Sequence, residues 1–272
     1  MAASLPKYAE RLDALHRAFA DDFRRIVGRV PLEGDEKVLD AGCGDGFFTR
    51  LLADRLHARQ VIGLDNSQAY LKAAATRLHE LVVAGRVNLL EGNVNELPFE
   101  THCLDAVWSA HSMQSYTAIP HVLGEFSRVL RPGGLLAVLE TDNIHSIMLS
   151  WPPHLELAIR QAEYRDIGDE DSYIGTYFPR FAHRLLREAG FEQFSRDYVF
   201  IRRQQPCGQA LEEYVLLYLQ DLLERTGDRL AEPVRELLQE FSTPESKRFL
   251  PRQESFFFGS LQVLFTARAG IP

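Results

Sequence analysis

The sequence predicts an α/β protein: a doubly wound, Rossmann-like, mostly parallel sheet carrying an added helical cap. Three observations support this. Five short apolar runs recur over the first half of the chain, most of them separated by segments with helical spacing. A glycine-rich turn directly follows the first run. After residue 140 the rhythm breaks, and aromatics, prolines and amphipathic helices take over. Strands that alternate with helices build βαβ units and hence a parallel sheet. Strands covered on both faces read as continuous apolar runs, as these do.

In order, residues 4–27 predict an amphipathic helix, because Tyr8, Leu12, Leu15, Phe19, Phe23 and Ile26 recur at steps of three and four. Gly28 and Pro31 close it. Lys37–Asp40 is the first strand, and Phe47–Arg55 a helix after the glycine turn. Val61–Leu64 is the second strand, ending at Asp65, with Ser67 placed to cap a helix over 69–83. Strands follow at 87–90 and 104–108. A helix over 122–130 is stopped by Arg131-Pro132-Gly133-Gly134, and the fifth strand is 135–139. Residues 141–180 read as irregular or helical. Phe181–Ala189 is a helix ending at Gly190, 194–201 a sixth strand, 209–225 and 230–241 two amphipathic helices, and 255–267 a last strand, giving a seven-stranded sheet. No repeat or low-complexity linker divides the chain. One domain over 1–272 is expected, with an N-terminal helix in 1–30, a core at 35–140, helical or lid insertions at 141–180 and 203–253, and a closing strand at 254–268.

With 272 residues, 46% hydrophobic and 25% charged, the chain is long enough for a sizeable core. A net charge of −8 disfavours nucleic acid as the main partner, since phosphate binding needs a basic footprint. Three cysteines without repeated spacing argue against a disulfide framework or a structural zinc site. No apolar run has the length of a signal peptide or a bilayer span, so a cytoplasmic protein is expected.

The turn is Val38-Leu39-Asp40-Ala41-Gly42-Cys43-Gly44-Asp45-Gly46. In open α/β sheets ligands bind outside the carboxyl ends of the strands, and glycine there admits close backbone approach. A dinucleotide site wants Gly-x-Gly-x-x-Gly, but the third position here is Phe47. Four further segments accompany the turn: Val-Ile-Gly-Leu-Asp-Asn-Ser at 61–67, Glu-Gly-Asn-Val-Asn-Glu-Leu-Pro-Phe at 91–99, Leu-Asp-Ala-Val-Trp-Ser-Ala-His at 104–111, and Arg-Val-Leu-Arg-Pro-Gly-Gly-Leu-Leu at 128–136. In order and spacing these resemble the motifs of class I S-adenosylmethionine-dependent methyltransferases over roughly residues 35–140. The likeness is strongest to the group that includes quinone-pathway C-methylases and natural-product tailoring enzymes.

The resemblance implies an antiparallel last strand and a site for S-adenosylmethionine, whose product is S-adenosylhomocysteine. It implies that Asp40, Ala41, Gly42, Gly44 and Gly46 surround the amino-acid end of the cofactor. Asp65, with Asn66 and Ser67, would meet the ribose diol, Asn93, Val94 and Asn95 the adenine, and Ser109 and His111 would also bind the cofactor. Many members carry aspartate where this chain has Asn93, whose carbonyl oxygen can still accept a hydrogen bond. Cys43 reads as a small residue beside the ligand, not a nucleophile.

Methyl transfer from a sulfonium is an in-line displacement that mainly requires positioning. A base is needed only where the acceptor must lose a proton. His111, Asp142 and His145 follow the fourth and fifth strands at the carboxyl edge of the sheet and are the candidates. No third ligand with metal-site spacing joins Asp142 and His145, so no metal is expected. Tyr116, Trp151, Tyr173, Tyr177 and Phe178 are candidate pocket walls, Tyr8 reads as core of the first helix, and 171–177 as a lid. The expected partner is a small-molecule acceptor, mostly apolar, aromatic or lipid-like, in a pocket formed by the insertions. An RNA or protein acceptor would need a basic stripe; Arg180, Arg184, Arg187, Arg202 and Arg203 supply some charge, but an Asn-Pro-Pro-Tyr segment is absent. A non-catalytic cofactor-binding protein is the reading from another class. Monomer and homodimer stay equally open.

Overall fold

The computed structural model describes residues 5–56, 60–165, 167–168 and 170–271, without the side chains of Asn143 and Asp171. In chain order the elements are α1 (Ala9–Val27), β1 (Val38–Ala41), α2 (Phe47–Arg55), β2 (Val61–Asp65), α3 (Gln68–Arg77), α4 (His79–Val83), β3 (Val87–Glu91) and β4 (Leu104–Ala110). Then come α5 (Ile119–Val129), β5 (Leu130–Thr141), β6 (Met148–Leu149), α6 (Pro153–Tyr164), α7 (Glu170–Thr176), α8 (Phe178–Glu188), β7 (Phe191–Gln204), α9 (Gln209–Thr226), α10 (Glu232–Phe241) and β8 (Phe257–Ala269).

The sheet runs β3-β2-β1-β4-β5-β8, with β7 on the outer edge of β8. Strands β1 to β5 are mutually parallel, and β8 is antiparallel to its neighbours. The two-residue β6, not foreseen in the sequence, continues the line of β5 by pairing Met148 with Gly259 and Leu149 with Phe258. The order reverses between β1 and β4, so the turn after β1 stands at the switch point.

Successive strand residues feed two separate cores, as a period of two requires. Val38, Ala106, Trp108, Leu135, Ala137 and Leu139 join the core under α1, α2, α6 and α9. Leu39, Val107, Leu136 and Val138 join the core under α5 and α8. Burying one such Leu, Val or Phe side chain is worth about 1.5–3 kcal/mol, and here both faces collect it.

Boundaries moved where local geometry intervened. The helix expected over 69–83 is two, because Leu78 (φ −104°, ψ 12°) leaves helical geometry beneath Gly46. Ser67 does cap α3, its Oγ accepting from Tyr70 N at 3.4 Å. Helix α1 begins at Ala9 and kinks at Phe19 (φ −125°); residues 1–4, of which residue 4 belongs to the expected helix, lie outside the described residues. The expected sixth strand lengthens to 191–204 because it pairs along nearly all of β8. Of segment 171–177, all but Tyr177 is helical as α7, which packs Gly175 against the Met113 carbonyl. Among the described residues no helix is long and apolar enough to cross a membrane.

Candidate active site

The carboxyl ends of β1 to β5 open onto one cavity of about 1130 Å³. Gly42–Asp45 follow β1, Asp65 ends β2 with Asn66 and Ser67 after it, Gly92–Asn95 follow β3, Ala110 ends β4 with His111 and Ser112 after it, and Glu140 and Thr141 end β5. The opposite elements are α1, through Arg11, Leu12, Leu15 and His16, and α9, through Tyr214, Tyr218 and Arg225. Glu163 of α6 and Ser172, Gly175 and Thr176 of α7 complete the wall.

The glycine turn is held by its backbone. Gly42 N and Cys43 N donate to Leu64 O at 2.8 and 3.0 Å. Gly42 has φ +73°, and a Cβ there would meet the Tyr116 hydroxyl at 2.8 Å and Ser112 Oγ at 2.9 Å. Gly44 has φ +52°, and a Cβ on it would meet nothing within 4 Å. The first glycine is therefore required by the protein's own packing. The second lies under open space, which is where a ligand can approach backbone. Gly44 N donates to Asp65 Oδ2 (2.9 Å) and Ser67 N to Asp65 Oδ1 (2.8 Å), so one carboxylate ties the turn to the end of β2. Each oxygen keeps further lone-pair capacity.

On the next loop Asn93 Oδ1 accepts from Asn95 N (2.9 Å) and Asn95 Nδ2 (3.1 Å). The backbone donor fixes which side-chain atom is oxygen. With that oxygen engaged twice, Asn93 has its amide N–H groups to offer, whereas the sequence suggested an acceptor. Val94 and Asn95 also line the cavity.

Four of the expected cofactor residues do not line it. Asp40 is buried, accepts from Thr49 Oγ1 at 2.6 Å, and has its pKa raised to about 7 by burial against that bond. Ala41 contributes its carbonyl to the Tyr116 hydroxyl at 2.8 Å. Gly46 packs on Leu78. Ser109 is buried and bonds Tyr116 Oη at 3.2 Å. These residues support the turn from behind. Cys43 does line the cavity, its thiol pushed up and kept protonated by burial and by the carboxylates around it.

His111 has a left-handed backbone (φ +51°), costly for a residue with a Cβ and typical of functional turns. Its N–H donates to Leu139 O, and its ring stands edge-on to Phe23 and Phe48. Nε2 meets Gln262 Oε1 at 2.8 Å, and Gln262 Nε2 donates to Ser260 Oγ at 2.9 Å. In that arrangement the imidazole proton is on Nε2, and Nδ1, buried and without a partner, is an unfilled acceptor. Burial, resisted by the Gln262 bond, lowers the pKa to about 4, so the ring is neutral near pH 7.

The other two catalytic candidates are not with it. Asp142 accepts from Ile144 N at 3.1 Å and pairs with Arg180. His145 is exposed, and neither residue lines the cavity. Among the described residues there is no group of three His, Cys, Asp or Glu that could hold a metal. Of the candidate walls, Tyr116 lines the cavity and Trp151, Tyr173, Tyr177 and Phe178 do not. Tyr8, read as helix core, is instead half-exposed at the cavity mouth.

Glu140, Gln262 and His16 are among the cavity residues that the sequence reading missed. Glu140 is buried, with Oε1 accepting from Ser112 N (2.8 Å) and Met113 N (2.9 Å), and burial raises its pKa to about 7. Its placement at the end of β5 was the available signal. Gln262 sits on β8, where only the fold brings it to His111. His16 of α1 stacks on Phe47 (4.0 Å between ring centroids), with Nδ1 3.6 Å from Asp45.

Comparison with known proteins agrees with this geometry. A family profile described as a methyltransferase domain matches residues 39–138. The demethylmenaquinone methyltransferase of Symbiobacterium thermophilum is 30% identical over 205 residues, 68% of this chain and 82% of that one. The 2-phytyl-1,4-naphthoquinone methyltransferase of Synechococcus elongatus is 36% identical over 136 residues, covering 50% and 57%. Among solved structures, the Haemonchus contortus phosphoethanolamine N-methyltransferase 2, in complex with phosphomonomethylethanolamine and S-adenosylhomocysteine, superposes with a TM-score of 0.57 at 17% identity, covering 97% of this chain and 58% of that one. That last likeness shows the fold. With the relative matched along most of its length, the chain belongs to the class I S-adenosylmethionine-dependent methyltransferases and is an enzyme of that family.

Proposed function

We propose that this enzyme methylates a ring-bearing small molecule of quinone type, held between the strand ends and the helical cap. The observation that carries the reading is one continuous cavity, which joins the glycine turn, Asp65 and Asn93 on one side to His111 and the cap helices on the other. Its volume of about 1130 Å³ exceeds what one drug-sized ligand needs and accommodates a cofactor together with an acceptor. The names of the two curated relatives point to naphthoquinone rings.

S-adenosylmethionine, where bound, supplies a methyl group already activated on a positive sulfur. The open face of Gly44 suits its amino-acid end, Asp65 the ribose diol, and the amide of Asn93 a ring nitrogen of adenine. Asn66, Ser67, Val94 and Asn95 line the same edge. Asp40, Ala41, Gly46 and Ser109 act through the turn's shape. His111 Nδ1 takes the proton when the acceptor must lose one, and Gln262 keeps the ring in that tautomer. Phe23 and Phe48, edge-on to the ring, exclude water beside it. Asp142, paired with Arg180 off the cavity, has a structural part in this reading, as does exposed His145. A nucleic-acid acceptor has little support: of the five arginines named for a basic stripe, Arg180, Arg184 and Arg203 are paired with Asp142, Glu188 and Asp22.

The test combines calorimetry with labelled methyl transfer. S-adenosylmethionine and S-adenosylhomocysteine should bind in the micromolar range, nicotinamide dinucleotides should not, and Asp65→Ala should lose the binding. Label should pass to substituted naphthoquinols and not to tRNA or protein. Transfer only to macromolecules, or preference for dinucleotides, overturns the reading.

A further inference from the structure

The cap wall is not the apolar surface that the aromatic-rich insertions suggested. Tyr218 of α9 is 5% exposed, lines the cavity, and its buried hydroxyl has no hydrogen-bond partner. A buried hydroxyl left unmatched costs about 1–3 kcal/mol, so such an atom on a residue that lines a cavity points to a ligand that completes it. Beside it lie Glu163 and Arg225, also on the wall and 3.2 Å apart. Glu163 Oε2 takes Arg160 Nη1 at 3.0 Å, and Arg160 Nη2 donates to the carbonyl of Ile147, itself a wall residue. Asp221 bonds both Arg225 (2.9 Å) and Arg11 (3.0 Å). Glu156 completes the group at 3.8 Å from Arg160.

The charges at this corner balance: Arg11, Arg160 and Arg225 face Glu156, Glu163 and Asp221. Each cation already has a carboxylate. A carboxylate or phosphate brought here would meet no unanswered positive charge and would lose its own hydration. A neutral oxygen has no such cost. It accepts from the Tyr218 hydroxyl, and if it is itself a hydroxyl it donates to Glu163.

We propose that Tyr218, flanked by the Glu163–Arg225 pair, is the recognition point for an uncharged oxygen of the acceptor, the hydroxyl of a phenol or quinol, set in an otherwise apolar body. The apolar body has its own wall in Leu12, Leu15, Phe47 and Ile147. The site therefore selects amphipathic ring compounds over both hydrocarbons and organic anions. This inference rests on the cavity being the acceptor site. The Tyr218 hydroxyl acts as donor at all physiological pH, since burial raises its pKa to about 12.

The experiment measures binding of three probes to the enzyme saturated with S-adenosylhomocysteine, by saturation-transfer NMR and titration: 1-naphthol, 1-methylnaphthalene and 1-naphthoate. Wild type should prefer the naphthol by about tenfold over either other probe. Tyr218→Phe, which keeps ring packing, should erase the preference for naphthol over methylnaphthalene while leaving S-adenosylhomocysteine affinity within twofold. Glu163→Gln, which removes one negative charge, should invert the order between naphthol and naphthoate. That gain of binding cannot arise from a misfolded variant. A naphthol preference that survives in Tyr218→Phe, or a wild-type preference for naphthoate, overturns this assignment alone. Failure of all three probes to bind the loaded wild type overturns the acceptor reading and this inference with it.

Discussion

The two walls of the cavity are built by different means. The strand-end wall is made chiefly of backbone: glycines with positive φ, amide hydrogens aimed at Asp65, and a loop closed on Asn93. The cap wall is made of long side chains, Arg11, Glu163, Tyr218 and Arg225, which converge from three helices. Backbone geometry is set by neighbours in sequence and tolerates little change. A side-chain wall can be rewritten residue by residue while its helices stay in place. On this comparison we propose that the strand-end wall, as the cofactor side, is the one that tolerates least substitution and the cap wall the adjustable one, in keeping with function being grafted on a shared fold.

The largest effects should follow from forcing a side chain onto the backbone wall. Gly42→Ala combines φ +73° with a contact at 2.8 Å to Tyr116. Loss of measurable S-adenosylhomocysteine binding and a destabilisation of roughly 1–3 kcal/mol are expected, read by calorimetry and denaturant melts. Gly44→Ala sharpens the point. Its Cβ meets no protein atom, so the variant should fold with a smaller loss of stability yet still bind the cofactor at least tenfold more weakly. Equal binding by Gly44→Ala and wild type would mean that the ligand does not approach this turn.

His111 stands where the walls meet. Asparagine tolerates the left-handed backbone that His111 adopts, so His111→Asn separates chemistry from folding. For a hydroxylated acceptor kcat should fall about 10²-fold or more, with cofactor affinity unchanged. The acid limb of the wild-type kcat/KM profile should lie near pH 4, below the ordinary histidine range, because burial lowers this group. An acid limb at pH 6.5, or full activity in the variant, would remove His111 from the reaction.

The same contrast explains what could be read from sequence. The parallel strands, the turn at 38–46 and Asp65 were legible because each is specified locally, by an apolar run or a glycine pattern. Tyr218, Glu163 and Gln262 carried no comparable signal. Tyr218 and Gln262 lie on elements that read correctly as helix and strand, and Glu163 on a helix inside the stretch read only as irregular or helical; all three reach the cavity only through contacts between residues far apart, such as His111 with Gln262. Asp142 misled for the complementary reason: its position after β5 was right, but Arg180 from α8 engages its carboxylate off the cavity. Tyr8 misled because helical periodicity gives a face without saying whether core or cavity lies opposite it.

A moderate effect is expected where strand ends meet the loop after β4. Glu140 has its pKa raised by burial from the usual value to about 7, so between these limits the folded state binds more protons than the unfolded one. Its contribution to stability is therefore greatest at low pH and declines as pH rises toward 7. Asp40 acts in the same direction and His111, with its lowered pKa, in the opposite one. Glu140→Gln keeps an acceptor for Ser112 N and Met113 N but cannot ionise. Relative to wild type it should gain stability between pH 5 and pH 7.5, by a few kcal/mol at most, while the Asp40 and His111 contributions cancel in the difference. Parallel stability curves for the two proteins would show that Glu140 does not titrate in this range.

The smallest effect tests whether the cap's surface charges hold it in place. Arg17 of α1 bonds Asp13 and, bidentately at 2.9 Å, Glu213 of α9, across the helix pair that brings Arg11 and Tyr218 to the cavity. The geometry is favourable, but both partners are over a third exposed, and such pairs contribute little against water and salt. Phe19, two residues on, is 1% exposed, stacks on Phe258 at 4.9 Å and meets Tyr214 edge-on. Arg17→Ala should therefore change stability by no more than about 1 kcal/mol and leave acceptor binding intact. Phe19→Leu, which removes the ring stacking without emptying the site, should cost more and weaken acceptor binding through a looser α1. If Arg17→Ala proved the more damaging of the two, the cap wall would be positioned by its charges, and the claim that its helices stay in place while its lining changes would fail.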